Sequence, residues 1–335
     1  MADPSPAPLR LRFADVAYPL TIPRMLPGRT QSYATHGSAP RTLRGHEALA
    51  FVVALAWSRG ADLPADPSPA LPRRIVAIAP NTAEVICTIG ACDRIVGVSK
   101  FCVYPPELAH RPQVGGLSDP DLERIIALRP DLVVMRGKND SLQRLCEQLH
   151  VPIYYDETDT LPGIEQGVQE LGRRLGREEQ AREVVQTFHR RLDAVRARVA
   201  GRQRPRVLLT ISREPGRLAN LLTAGRGTFL DQMVEAAGGL NIFGHLDMTY
   251  PQVSPEGVIA QQPEVIIELL PEVKLTEAME KQMLEQWGRL GTIPAVVHHR
   301  VHFLTDDNGL IPSPRYVDII EKVSHVLHPE RPVDP

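Results

Sequence analysis

At 335 residues the chain is long enough for about two domains, and its 43% apolar and 23% charged residues are those of a globular protein rather than a fibrous or disordered one. Its 38 Lys and Arg nearly balance 40 Asp and Glu, giving a net charge of −2, so there is no broad basic field and nucleic acid is not an expected partner. No apolar run reaches the ~18 residues that a membrane-spanning helix needs.

Residues 1–72 are Pro- and Ala-rich with little periodicity and read as an N-terminal extension and linker. Within them "ALAFVVALAW" (48–57) follows Arg41 and Arg44 and precedes a small, polar stretch, the layout of a signal peptide. It lies about 40 residues from Met1, farther in than a standard signal. It therefore reads equally as the signal of a chain that starts downstream of Met1, or as a buried helix.

From Arg73 the pattern changes to short β-branched runs alternating with helices. "RIVAIA" (74–79) is an expected strand, and "NTAEVICTIG" an expected helix with Asn81 as its cap and Glu84 three residues on. Strand 94–99, helix 121–128, strand "DLVVM", helix 141–149 and strand "VPIYYD" follow. This alternation predicts a mostly parallel sheet covered on both faces. From Pro162 to Gly201 the spacing of Ile164, Val168, Leu171, Leu175, Val184, Phe188, Leu192, Val195 and Val199 predicts one helix. Such a helix would be roughly 57 Å long over about 38 residues, with Gly172 and Gly176 as places where it could bend. The α/β rhythm then resumes with strand 206–212, helices 228–237 and 255–261, strand "EVIIEL", helix 275–287, strand "RVHFLT" and a helix from Pro314 to Leu327.

The fold class expected is therefore α/β, with two Rossmann-like lobes joined by one long helix and a cleft between them. The lobes span 73–160 and 203–329, and the joining segment spans 161–202. Cys87, Cys92, Cys102 and Cys146 have no CxxC or zinc-finger spacing and are expected as buried free thiols, with one disulfide open to an exported chain.

One short sentence is written twice. Glu123 opens "ERIIALRPD" and Glu256 opens "EGVIAQQPE", each an acid, a spacer, two apolar residues and Ala, with Pro seven residues after the Glu and an acid after it. Asp121 and Ser254 stand as N-caps, so both glutamates fall in the first turn of a helix at matching points of two similar lobes. An acid there is favoured by the helix dipole, by about 0.3–1 kcal/mol. A matched pair of docking posts for a two-fold symmetric partner is the functional alternative.

On "RIVAIAPNTAEVICTIGACDRIVGVSKFCVYPPE", "LERIIALRPDLVVMRG", "YPQVSPEGVIAQQPEVII" and "RVHFLTDDNGLIPSPR", residues 74–328 resemble the helical-backbone class of ABC-importer substrate-binding proteins for cobalamin and ferric siderophores. The likeness is greatest to the cobalamin-binding branch. It implies a ligand cleft between the lobes and docking of Glu123 and Glu256 on arginines of a permease dimer. It also implies a monomer acting in the periplasm or otherwise outside the cytoplasm, with a metal chelate as ligand and no cofactor of its own. An intracellular binding or sensing protein of the same fold is the alternative.

The resemblance places the cleft at the loops holding Tyr104, Arg136, Tyr250, Asp307 and Asn308. Tyr suits a large flat ligand, and Arg136 an anionic group or carbonyl. The sequence departs from the cobalamin branch in having 5% aromatic residues, in placing Trp287 in a late helix where it is expected to pack, and in carrying Ile311 where an arginine contact would stand. A siderophore or heme thus stays open beside cobalamin. His298 and His299 precede a strand, where neighbours point to opposite faces, so no metal site is expected among the histidines. No P-loop, GxSxG, HExxH or dinucleotide glycine pattern occurs and no nucleophile stands beside a base, so no catalytic residue is assigned.

Overall fold

The computed structural model describes residues 70–271 and 273–330. The N-terminal extension, with its signal-like segment 48–57, falls outside the described residues except for its last few.

The first lobe is built from β1 (Ile75–Ala77), α1 (Pro80–Thr88), β2 (Ile95–Val98), α2 (Leu122–Leu128), β3 (Leu132–Arg136), α3 (Asp140–Leu149) and β4 (Ile153–Asp156). Its strands pair in parallel in the order β2-β1-β3-β4. They read as unbroken apolar runs because both faces are covered. Ile75 and Ala77 pack with Ile86 and Leu171 on one side, while Val76 and Ile78 pack with Ile125 and Leu142 on the other.

Pro80 takes the first position of α1 and Ala79 precedes it, so Asn81 sits inside the helix instead of capping it. The expected pairing of Asn81 with Glu84 at a helix end does not form, and both side chains are buried elsewhere. Cys87 and Cys92 are joined in a disulfide, against the expectation of free thiols, whereas Cys102 and Cys146 are free and buried. Burial pushes both remaining thiols up to about 11.

The stretch expected as a single helix is two: α4 (Leu161–Leu175) and α5 (Glu178–Val199). Gly176 ends α4 at φ 62°, where a side chain would be strained, and Arg177 N–H closes the turn on the Gly172 carbonyl at 2.7 Å. A Cβ on Gly172 would lie 2.5 Å from Ala181 Cβ, which shows how closely the two helices approach. The apolar period carries through the break because both helices face the same two cores. Leu161 and Ile164 lie in the core of the second lobe and Val168, Leu171 and Leu175 in that of the first. Along α5 the order reverses, with Ala181 and Val185 in the first core and Phe188, Leu192 and Val195 in the second. Helix α5, 22 residues and ~33 Å long, is thus the long element that joins the lobes.

The second lobe contains β5 (Arg206–Ser212), β6 (Leu221–Thr223), α6 (Phe229–Ala236), β7 (Leu240–Asn241), β8 (Gln252–Val253), α7 (Pro255–Gln261), β9 (Val265–Leu269), α8 (Glu277–Gly288), α9 (Pro294–Val297), β10 (Val301–Leu304) and α10 (Val317–Leu327). Strands β10, β9 and β5 run parallel in that order, β7 joins β5, and β6 and β8 continue the sheet antiparallel. Both lobes fall within one compact unit.

The duplicated sentence folds the same way twice. Asp121 accepts the Arg124 N–H and Ser254 the Gly257 N–H, and seven-residue helices α2 and α7 end on left-handed Arg129 and Gln262. The acids after the prolines are structural: Asp131 accepts the backbone N–H groups of Arg73 and Arg74, and Glu264 that of Arg206, each at 2.8 Å. The guanidinium of Arg74 returns to the Leu128 carbonyl, and that of Arg206 to the Gln261 carbonyl, capping the helix just before each proline. Each copy is a clamp between a helix end and the start of a strand.

Candidate ligand cleft

The C-terminal ends of β3 and β4 and the loop after β4 bring together Arg136, Asp156, Thr158 and Asp159. Asp156 is 2% exposed and accepts Asn81 Nδ2 at 2.7 Å and the Thr158 hydroxyl at 2.6 Å, with Arg136 Nη1 at 3.9 Å. Arg136 donates to the Thr158 carbonyl and, at 3.3 Å, to Asp159 Oδ1. The same carboxylate oxygen accepts the hydroxyl of Tyr250, from the second lobe, at 2.5 Å. Burial raises Asp159 above the usual carboxylate range, partly offset by its bonds to Tyr250 and Arg136. Burial, with the Asp159 charge, raises Tyr250 as well, so its hydroxyl stays protonated as a donor.

A second bridge crosses the lobes at the end of β10. Glu84 of α1 is 3% exposed, yet its side-chain partners all come from the second lobe: Ser313 Oγ at 2.7 Å and Arg315 Nη2 at 2.7 Å. Arg315 also binds Asp307 Oδ1 at 2.9 Å, and its guanidinium stacks on the Tyr104 ring, 3.7 Å from the centroid. Burial raises Glu84, and the Arg315 and Ser313 bonds offset only part of that rise. Since β5, β9 and β10 are parallel, this contact shows that their C-terminal edge faces the first lobe. Such an edge is where open α/β sheets hold ligands. Glu84, Tyr104 and Arg315 line a cavity of about 410 Å³ that extends to Val184, Thr187 and Phe188 of α5. An adjoining cavity of about 450 Å³ shares Arg191 and Arg315 and takes in Asp307 and Asn308. Both volumes fall in the range of small-molecule sites.

Of the residues expected at the cleft, Tyr104 and Asp307 meet around Arg315, and Arg136 and Tyr250 meet around Asp159. Asn308 is 3% exposed and reaches this region through the backbone, its amide donating to the Arg315 carbonyl at 2.9 Å. Ile311 is buried, and Arg315, four residues on, supplies the cation of that loop. Trp287 is fully buried, and its ring N–H donates to Glu268 at 2.9 Å. Sequence reasoning missed Glu84, Asp156, Asp159 and Arg315. The "SPR" that closes the last quoted motif was the available signal for Arg315. Glu123 and Glu256 are both exposed at the heads of α2 and α7, and neither forms an ion pair with another side chain among the described residues. Glu256 is held below the usual carboxylate range by the Ser254 hydroxyl and its own N–H.

Two doubly covered α/β lobes, spanned by shared helices and closed over a polar cleft, define a two-lobed small-molecule-binding protein. The chain belongs to the periplasmic binding protein family, whose model matches residues 75–308. It is 29% identical over 255 residues to the vitamin B12-binding protein of Vibrio parahaemolyticus, covering 75% of this chain and 88% of that one. With the vitamin B12-binding protein of Salmonella typhimurium it shares 32% identity over 226 residues, 67% of this chain and 80% of the relative. Among solved structures, the periplasmic vitamin B12-binding protein of Vibrio cholerae superimposes with a TM-score of 0.65 at 28% identity, covering 77% of this chain and 97% of that one. A periplasmic heme-binding protein from Pseudomonas aeruginosa gives 0.68 at 26%, covering 79% and 96%.

Proposed function

We propose that this chain is the substrate-binding component of an ABC importer, capturing a corrinoid or ferric-siderophore-type metal chelate in the inter-lobe cleft and delivering it to a permease dimer outside the cytoplasm. The observation that carries this reading is the likeness to vitamin B12-binding proteins across three quarters of the chain. Glu123 and Glu256 support delivery, because two exposed carboxylates at equivalent points of two lobes suit a symmetric partner presenting cations. The chain works as a monomer and makes no covalent change to its ligand. Tyr104, Arg136, Tyr250, Asp307 and Asn308 are the ligand-binding residues of this reading, with Glu84, Asp159 and Arg315 setting their positions.

The polar character of the cleft favours a chelate held by its edge, through amide, carboxylate or carbonyl groups. That places heme and ferric siderophores beside cobalamin as candidate ligands, as does the fold shared with a heme-binding protein. Calorimetric titration of the full chain with cyanocobalamin, hemin and a panel of ferric siderophores tests the reading. Sub-micromolar binding of one of them, worth about 8 kcal/mol or more, is expected. Binding of none would overturn it.

A further inference from the structure

Glu268 stands in β9 between Ile267 and Leu269, with β5 on one side and β10 on the other, and is 2% exposed. A lone carboxylate there would be prohibitive. Its Oε1 accepts Arg213 Nε at 2.7 Å and its Oε2 accepts Trp287 Nε1 at 2.9 Å. The Arg213 side chain, 6% exposed, also donates to Gln286 Oε1 at 2.6 Å and to the Arg217 carbonyl at 3.0 Å. Apolar residues of the same shape often replace such a pair without loss of stability, so stability alone does not account for it.

Position does. Arg213 is the first residue beyond β5, on the edge where Asp307 and Arg315 meet the first lobe. It opens a tight turn in which Arg217 N–H bonds the Glu214 carbonyl, Glu214 N–H bonds the Ala219 carbonyl and Gly216 takes φ 76°. Arg217 projects from this turn with its side chain 71% exposed, 3.3 Å from Glu214. We propose that Arg213 and Glu268 are positioning residues for the ligand cleft: their buried pair fixes the turn from Arg213 to Ala219 as the second-lobe wall and holds Arg217 at its rim, facing an anionic or carbonyl-bearing edge of the ligand. The ligand clause rests on the binding function proposed above; the fixing of the turn does not.

Hydrogen exchange on the full chain, compared with Arg213→Met/Glu268→Gln, tests this. The double variant removes both charges, so its melting temperature should lie above that of Arg213→Met alone, which strands the buried carboxylate. Its hydrogen-bonded turn amides, those of Glu214 and Arg217, should nevertheless exchange about tenfold faster or more. Whichever of cyanocobalamin and hemin the parent binds should leave the variant about tenfold sooner. Trp287→Phe, which spares the ion pair, should keep the parental exchange rates in the turn. Unchanged exchange at Glu214 and Arg217 in the double variant would overturn the proposal, and so would faster exchange with unchanged release of a bound probe. If the parent binds neither probe and none of the ferric siderophores, the proposed function is what fails, and the exchange rates still decide whether the pair fixes the turn; if it binds a siderophore alone, that siderophore is the probe for release.

Discussion

Glu84 and Arg315 stand 231 positions apart in the chain and meet at 2.7 Å across the boundary between the lobes. Neither side chain is satisfied within its own lobe alone. Glu84 takes its side-chain bonds from Ser313 and Arg315, while Arg315 divides its donors between Glu84 and Asp307 and covers the face of Tyr104. One guanidinium thus ties together a helix of the first lobe, an aromatic cleft residue and the last loop of the second lobe.

Removing that cation strands a buried carboxylate. Arg315→Met should cost about 3 kcal/mol in thermal or denaturant unfolding, the scale seen when one partner of a buried pair is deleted. Burial already raises Glu84 above its ordinary 4.5 despite the Arg315 bond. A group so raised contributes stability that is fully present below its unfolded value and is lost as pH rises through its folded value. Without Arg315 the folded value climbs further. The deficit relative to the parent should therefore widen from about pH 4 to pH 7 and narrow in more acid solution. A deficit that grows on acidification would contradict this.

The Tyr250–Asp159 bond is the second tie between lobes. Tyr250→Phe leaves the half-buried carboxylate with one donor fewer and should cost about 1–2 kcal/mol. A double-mutant cycle with Asp159→Asn should return a coupling of about 1 kcal/mol, measured by urea unfolding.

Within the duplicated sentence the two acids should separate cleanly. Asp131→Ala loses the acceptor for two backbone N–H groups and should cost about 1 kcal/mol. Glu123→Ala, whose side chain pairs with no other among the described residues, gives up only its favourable place on the helix dipole and should lower the melting temperature by no more than about 2 °C.

The four cysteines should divide two and two. After unfolding without reductant, iodoacetamide should label Cys102 and Cys146, and prior reduction should add Cys87 and Cys92. In the native protein the two free thiols should react slowly, being buried and pushed up to about 11. Mass spectrometry counts the labels.

Much of this architecture could be read from the chain because parallel strands covered on both faces appear as compact apolar runs. Strand β5 spans Arg206–Ser212, where "RVLLTIS" placed it. The short β6, β7 and β8 left no such trace, since two or three residues cannot display a period. The break at Gly176 was hidden for the opposite reason, because α4 and α5 keep their apolar faces in phase on the same two cores. Cleft residues such as Tyr104 and Asp307 lie in loops that the resemblance pointed to. Their partners Glu84, Asp159 and Arg315 stayed unseen, because a contact made across the lobes has no local spacing. Asn81 and Glu84 looked like a helix cap for the same reason: only the folded chain shows Asn81 turned to Asp156 and Glu84 to the other lobe.

Delivery to a permease is tested most directly by ligand uptake with Glu123→Ala/Glu256→Ala. The double variant should bind the ligand with parental affinity, yet support no uptake through the cognate importer. Parental uptake, or a loss of uptake that follows weakened ligand binding, would contradict the account.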